Sequence, residues 1–274
     1  MEMPQNNFLE LKTHYLAMPY DRPRRIRVLL PKNYYEEQYK TYPVLYMHDG
    51  QNVFYSREAF MGHSWKVIPT LKKHREFPPL IIVGLDNSPQ YRSDEYTPWP
   101  TEFYQDGKQQ RFGGGGQAYA AWIVEVVKPF IDTHYRTRPA RSDTLLAGSS
   151  LGGYITAYMG SAYPDIFGNL GVFSSAAWLS DQFSPFVAEN PLKKTTKVYI
   201  QAGANESDAG DDEIISPNFQ AQAYIDEAIA YYQTLILNGH PISQIKLKIF
   251  AGESHNEYFW AKHFPEFLDF CLKK

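Results

Sequence analysis

The chain is short of most features that betray a function by composition alone. It has one cysteine, Cys271, in 274 residues. A lone cysteine closes no intrachain disulfide, which suits a reducing compartment. It lies in Phe267-Leu268-Asp269-Phe270-Cys271-Leu272, which reads as the apolar side of a terminal helix, so a packed rather than reactive thiol is expected. No run approaches the roughly 18 consecutive apolar residues of a membrane span. The opening Met1-Glu2-Met3-Pro4-Gln5-Asn6-Asn7 has neither the basic start nor the apolar centre of a secretory signal. Charge of one sign is scarce too: 27 Lys and Arg against 30 Asp and Glu leave a formal net charge of −3. That removes the electrostatic case for nucleic acid or an anionic membrane as the main partner. There is no internal repeat, long linker or low-complexity tract. His48-Asp49 is the nearest thing to a metal pair, and no Cys/His/Asp cluster accompanies it at ligand spacing, so no metal or cofactor is expected. A soluble, cytoplasmic globular chain is the expectation these absences leave.

What is present is a core-forming sequence, 43% hydrophobic and 16% aromatic, with 21 Tyr. Short apolar runs alternate with longer helical patterns. Strands are expected at Arg25–Leu30, Val44–Met47, Leu80–Leu85, Thr144–Ala147, Leu170–Phe173, Lys197–Gln201 and Ile245–Phe250. Helices are expected at Ser64–His74, Gln117–Tyr135, Gly153–Ala162, Asn218–Leu237 and Glu257–Leu272. This alternation predicts an α/β fold, a mainly parallel central sheet flanked by helices, in one domain over 1–274. Pro129 should kink or restart its helix. Residues 90–116 form a long loop rich in aromatics, Pro and Gly with no secondary pattern of its own.

The segment Leu145-Leu146-Ala147-Gly148-Ser149-Ser150-Leu151-Gly152-Gly153-Tyr154 carries the chemistry. An apolar run leads into Gly-x-Ser-x-Gly and then a helical pattern. Gly148 and Gly152 leave room for a turn so tight that Ser150 projects its hydroxyl from the top of a sheet, the nucleophile elbow of serine hydrolases. Ser149 lacks glycines at both flanking positions. A serine hydroxyl needs a general base, and the base needs a partner to hold its tautomer. On such a sheet the order is serine, acid, histidine, each on a loop after a successive strand. His255 leaves the carboxyl end of Ile245–Phe250. His240 precedes that strand, at the wrong end of the sheet, and His263 lies inside the final helix. For the acid, spacing past Lys197–Gln201 leaves Glu206 and Asp208 both open. Backbone N–H groups of Leu151, after the nucleophile, and Gln51, after Val44–Met47, are the expected oxyanion donors. Gly113-Gly114-Gly115-Gly116 follows no strand and reads as a flexible lead-in to a helix. His48 reads as a structural residue under the oxyanion loop. Tyr96, Trp99 and Phe103 are candidates for the wall of a substrate pocket.

With these residues in hand, the chain resembles the putative esterase family, the esterase D-like group of α/β hydrolases. The likeness rests on Tyr46-Met47-His48-Asp49-Gly50-Gln51-Asn52, Asp94-Glu95-Tyr96-Thr97-Pro98, Tyr135-Arg136-Thr137, Ala147 to Gly153, and Ser254-His255, in the family's order from about Arg25 to the C-terminus. The resemblance implies a serine esterase with Ser150 as nucleophile and His255 as base. It shifts the acid toward Glu206, since members carry Asp or Glu at the third place after the glycine that ends this strand, here Gly203. Gln51 stands where S-formylglutathione hydrolases usually carry a different loop with Cys. The family includes feruloyl esterases, siderophore esterases, some of which work with a Ser-His dyad, and mycolyltransferases. An acyltransferase with the same residues and a non-catalytic binding protein on the same fold are the other readings. The expected partner is a small or medium ester.

Overall fold

The computed structural model describes residues 9–105, 108–206 and 219–273. An eight-stranded sheet runs through it in the order β1-β2-β4-β3-β7-β8-β9-β10. These strands are β1 (Glu10–Leu16), β2 (Arg24–Leu30), β3 (Val44–Met47), β4 (Ile81–Leu85), β7 (Thr144–Ser149), β8 (Asn169–Phe173), β9 (Lys197–Gly203) and β10 (Ile245–Phe250). The pairings from β4 through β3, β7, β8 and β9 to β10 are parallel, while β1 and β2 add an antiparallel edge. All seven expected strands are present, with ends shifted by at most two residues. The eighth, β1, was not expected; it lies at the edge of the sheet and is half-exposed.

Side chains alternate across the strands, because successive residues point to opposite faces. Tyr46, Val83 and Leu146 enter one core; Leu45, Met47, Ile82 and Leu145 enter the other. The first core is closed by α3 (Gly116–Trp122), α4 (Lys128–His134), α5 (Leu151–Ala162), α6 (Phe183–Glu189) and α7 (Phe219–Leu237), through side chains such as Tyr119, Ile131, Tyr154, Phe183 and Tyr231. The second is closed by α1 (Val67–Lys73) and α8 (Glu257–Leu272), through Val67, Trp260, Phe264, Phe267 and Leu268. Helices on both faces are what a parallel sheet needs to hide its apolar strands.

Two expectations change in detail. The 90–116 segment is not without structure: it holds α2 (Arg92–Glu95) and a hairpin of β5 (Pro100–Gln105) with β6 (Lys108–Gly113). Its anchor is polar. Arg24 donates to both carboxylate oxygens of Glu95 at 2.9 and 2.7 Å, with both residues buried. The glycine run is tightly packed rather than open. Gly113 N–H donates to Asp94 Oδ1 at 2.6 Å, and a Cβ on Gly116 would meet Pro98 at 2.7 Å. The expected Gln117–Tyr135 helix is broken just before Pro129. A π-helical turn, Ile123–Val127, separates α3 from α4, and Lys128 N–H reaches back to the Ile123 carbonyl. Proline cannot donate to the preceding turn, and the wider turn re-registers the ladder ahead of it.

Candidate active site

The carboxyl ends of β3, β7, β8, β9 and β10 meet at one edge of the sheet, the usual place for a ligand in an open parallel sheet. Ser150 sits there between β7 and α5 with φ 59° and ψ −127°, a strained conformation for a residue with a side chain. The turn is held by Ser150 N–H donating to the Phe173 carbonyl at 3.0 Å. Gly148 is obligatory: a Cβ there would lie 2.5 Å from the Gly152 carbonyl oxygen. A Cβ on Gly152 would press against Asp49 Oδ2 and His48 Cβ, each at 3.3 Å.

His255 follows β10 and lines the same cavity as Ser150, a space of about 480 Å³. Its Nδ1 meets Glu206 Oε2 at 2.7 Å. Glu206 is buried, and its Oε1 accepts from Ser174 Oγ at 2.5 Å and from Gly203 N–H. Ser174 in turn accepts from Trp260 Nε1 at 2.8 Å. A chain of polar groups thus runs from Trp260 through Ser174 and Glu206 to His255. Its far end faces His255 edge-on, with ring centroids 5.0 Å apart, while Tyr224 covers the imidazole at 4.6 Å. Asp208, the other acid left open by spacing, lies outside the described residues.

Ser174 and Trp260 were missed in the sequence. Ser174 directly follows β8 and holds φ 42°, which places its hydroxyl beside the acid; only the neighbouring strand reveals that. His240 is buried on the Thr196 carbonyl at 2.8 Å, and His263 pairs with Glu253 at 2.6 Å, both within other contacts.

The loop after β3 is a 3₁₀ turn, Gly50–Asn52, entered through Asp49 at φ 52°. Gln51 N–H and Leu151 N–H each fall in the first turn of a helical segment, where backbone donors have no partner inside the segment. Both turns border the cavity that Ser150 lines. The loop is braced from several sides. Arg92 donates through Nε and Nη2 to the two Asp49 oxygens at 2.7 and 2.9 Å. Although burial would raise it, the Arg92 guanidinium holds the Asp49 carboxyl below its ordinary range. The Gln51 amide oxygen accepts from Asn87 N–H at 3.1 Å. His48 lies under the loop, its Nδ1 3.1 Å from the Tyr119 hydroxyl, and burial pushes it down to about 3, so it stays neutral.

Two of the three aromatic candidates, Tyr96 and Trp99, do not line this cavity. Tyr96 is fully buried, and its hydroxyl accepts from Asp49 N–H at 3.0 Å, so it supports the loop from below. Trp99 packs on Tyr154, Tyr158 and Phe186, away from the cavity. Only the backbone of Phe103 is described, in β5. Trp99 is carried onto α5 and α6, whereas Tyr96 packs on His48 and Tyr119. The lining comes instead from Asp49, Gln51, Asn52, Glu58, Phe60, Met61, Asn87, Pro89, Arg92, Ser149, Glu257 and Trp260, with Ser150 and His255.

The family described as "Putative esterase" matches residues 18–269. The chain belongs to that esterase family. It is 24% identical over 251 residues to the uncharacterized protein YbbA of Bacillus subtilis, covering 92% of this chain and 93% of that one. Its fold is similar to that of the siderophore hydrolase EstA from Aspergillus nidulans, with a TM-score of 0.72, 17% identity, and 94% of each chain covered. It is also similar to an IroE-like serine hydrolase from Shewanella oneidensis, at TM-score 0.71 and 18% identity, over 95% of this chain and 79% of that one. The esterase has the α/β-hydrolase fold.

Proposed function

We propose that this esterase hydrolyses a small or medium carboxylic ester through an acyl-serine intermediate, with residues 1–274 acting as one catalytic unit. The observation that carries the reading is the 2.7 Å contact of buried Glu206 with His255, in the cavity onto which the Ser150 elbow opens. His255 takes the Ser150 proton as the hydroxyl attacks the ester carbonyl. Glu206 fixes the imidazole with its other nitrogen toward the serine and stabilises the imidazolium that forms. The N–H groups of Leu151 and Gln51 receive the oxyanion. His255 returns the proton to the leaving alcohol, and water then releases the acid by the same steps in reverse. This chemistry calls for no cofactor or metal.

The similarity to the siderophore hydrolase and the serine hydrolase supports this class of reaction. The lip of the cavity carries the exposed apolar side chains Phe60 and Met61, which suit the hydrophobic part of an ester. No described helix is long and apolar enough to cross a membrane. A cytoplasmic site of action fits the single, buried thiol of Cys271.

The test is hydrolysis of p-nitrophenyl acetate and butyrate by wild type, Ser150→Ala and Ser149→Ala. Ser150→Ala should lose on the order of 10³-fold or more in kcat, and Ser149→Ala should keep most of it. Equal rates in wild type and Ser150→Ala would reject the mechanism.

A further inference from the structure

The charges around the cavity balance in pairs, with one exception. Asp49 is matched by Arg92 at 2.7 Å. Glu58 is matched by Arg27 at 2.8 Å, and Asp86 by Arg25 at 2.6 Å. Glu257 has no cation within ion-pair distance among the described residues. It is only 6% exposed, so this is a carboxylate largely withdrawn from water. Its one side-chain hydrogen-bond partner among the described residues is neutral: Asn52 Nδ2 donates to Oε1 at 2.7 Å. The orientation of that amide is settled from the other side, because Asn52 Oδ1 accepts from Phe60 N–H at 3.0 Å. Glu257 nevertheless lines the cavity, two residues past His255.

A buried charge without a counter-charge is unfavourable, and a ligand that supplies the counter-charge relieves it. Burial pushes the Glu257 carboxyl up and nearby Asp49 adds to this, against the pull of its own backbone N–H, Asn52 and His255. Arg92 lies near enough to feel the Glu257 charge, but it makes no ion pair with it and two of its nitrogens are committed to Asp49. The Nδ1 of His255 is committed to Glu206.

We propose that Glu257 is a specificity-determining residue that accepts a hydrogen bond from a protonated amine on the substrate, so that the preferred esters carry an ammonium group close to the scissile bond. The proposal rests on the esterase reading of the cavity. The ammonium completes the one unpaired charge, while the neutral part of the ester lies toward Phe60 and Met61. A charge-assisted contact of this kind, made away from bulk water, separates a cationic ester from its neutral isostere.

The experiment compares matched pairs at pH 7. Glycine ethyl ester is set against ethyl propionate for an amine on the acyl side. 2-Dimethylaminoethyl acetate is set against 3-methylbutyl acetate for an amine on the alcohol side. The readout is the ratio of kcat/KM, cationic over neutral, in wild type and in Glu257→Gln, which keeps an acceptor for Asn52. In at least one pair the ratio should be about tenfold or more in wild type and fall toward one in the variant. A general loss of folding or of catalysis cancels in the ratio. Binding of the same esters to Ser150→Ala, with and without Glu257→Gln, gives a second readout that needs no turnover; the cationic ester should lose affinity selectively. Ratios near one in wild type for both pairs, or ratios unchanged by Glu257→Gln, would overturn the proposal and leave the esterase reading intact. Hydrolysis undiminished in Ser150→Ala would instead reject the esterase reading.

Discussion

Glu206 is the residue on which the catalytic reading turns most sharply. Its two oxygens are committed in different directions, one to His255 and one to Ser174 and Gly203. An amide at this position would place a donor where an acceptor is needed and favour the wrong imidazole tautomer. Glu206→Gln should therefore lower kcat on p-nitrophenyl butyrate by on the order of 10²-fold or more, and Asp208→Asn far less. The reverse ranking would move the role of acid to Asp208. A second buried carboxyl, Glu227 of α7, is not part of this chain of groups. Burial pushes it up to about 8 from an ordinary 4.5, and its Oε1 has no hydrogen-bond partner among the described residues. The folded protein thus holds this proton more tightly than the unfolded chain. Stability should be highest while both states are protonated, then fall as pH rises from about 4.5 to about 8, and level off above that. By pH 7 the loss is on the order of 3 kcal/mol from this group. Glu227→Gln should remove that part of the slope, as measured by urea unfolding at pH 5 and pH 8. An unchanged pH dependence in the variant would contradict the assignment.

At the scale of elements, strands buried in the parallel sheet were legible, because each is a short apolar run between turn residues. The elements that escaped are those without such a run. β1, Glu-Leu-Lys-Thr-His-Tyr-Leu, is a half-exposed edge strand. β6, Lys-Gln-Gln-Arg-Phe-Gly, is mostly polar, and α2 and α6 are too short to show a period. The candidate site divides in the same way. Ser150, Glu206 and His255 stand at strand ends, where order along the chain places them. Tyr96 and Trp99 are candidates for pocket walls in the sequence because nothing local discloses the packing that turns them inward. Ser174, Trp260 and the Asn52–Glu257 contact join residues 86 and 205 positions apart, which no local pattern encodes. The Asp94–Pro98 segment owes its place to the Arg24–Glu95 pair. Replacing Glu95 with Ala leaves a buried guanidinium without its main counter-charge, at a cost of about 3–5 kcal/mol. The variant should show a clearly lowered Tm in calorimetry; a Tm within a degree of wild type would contradict the role given to this pair.

At the scale of the whole molecule, two cores share one sheet, and α8 ties the second core to the site. Trp260 reaches the Glu206 partner Ser174, while Phe264, Phe267 and Cys271 lie in the core beneath. Cys271 is buried, and burial pushes its thiol well up, so it should resist alkylation while the chain is folded. Labelling by a thiol reagent at pH 8 should be slow in buffer and complete in urea, at a midpoint shared with loss of esterase activity. Rapid stoichiometric labelling of the native protein would show that α8 is not docked as described. The arrangement as a whole exists, on this account, to present one hydroxyl to an ester. The most direct test is to acid-quench the enzyme during turnover of p-nitrophenyl butyrate and map the acylated peptide by mass spectrometry. A butyryl group is expected on Ser150, absent in Ser150→Ala. A butyryl group on Ser149, Ser174 or another residue, with turnover intact in Ser150→Ala, would contradict it.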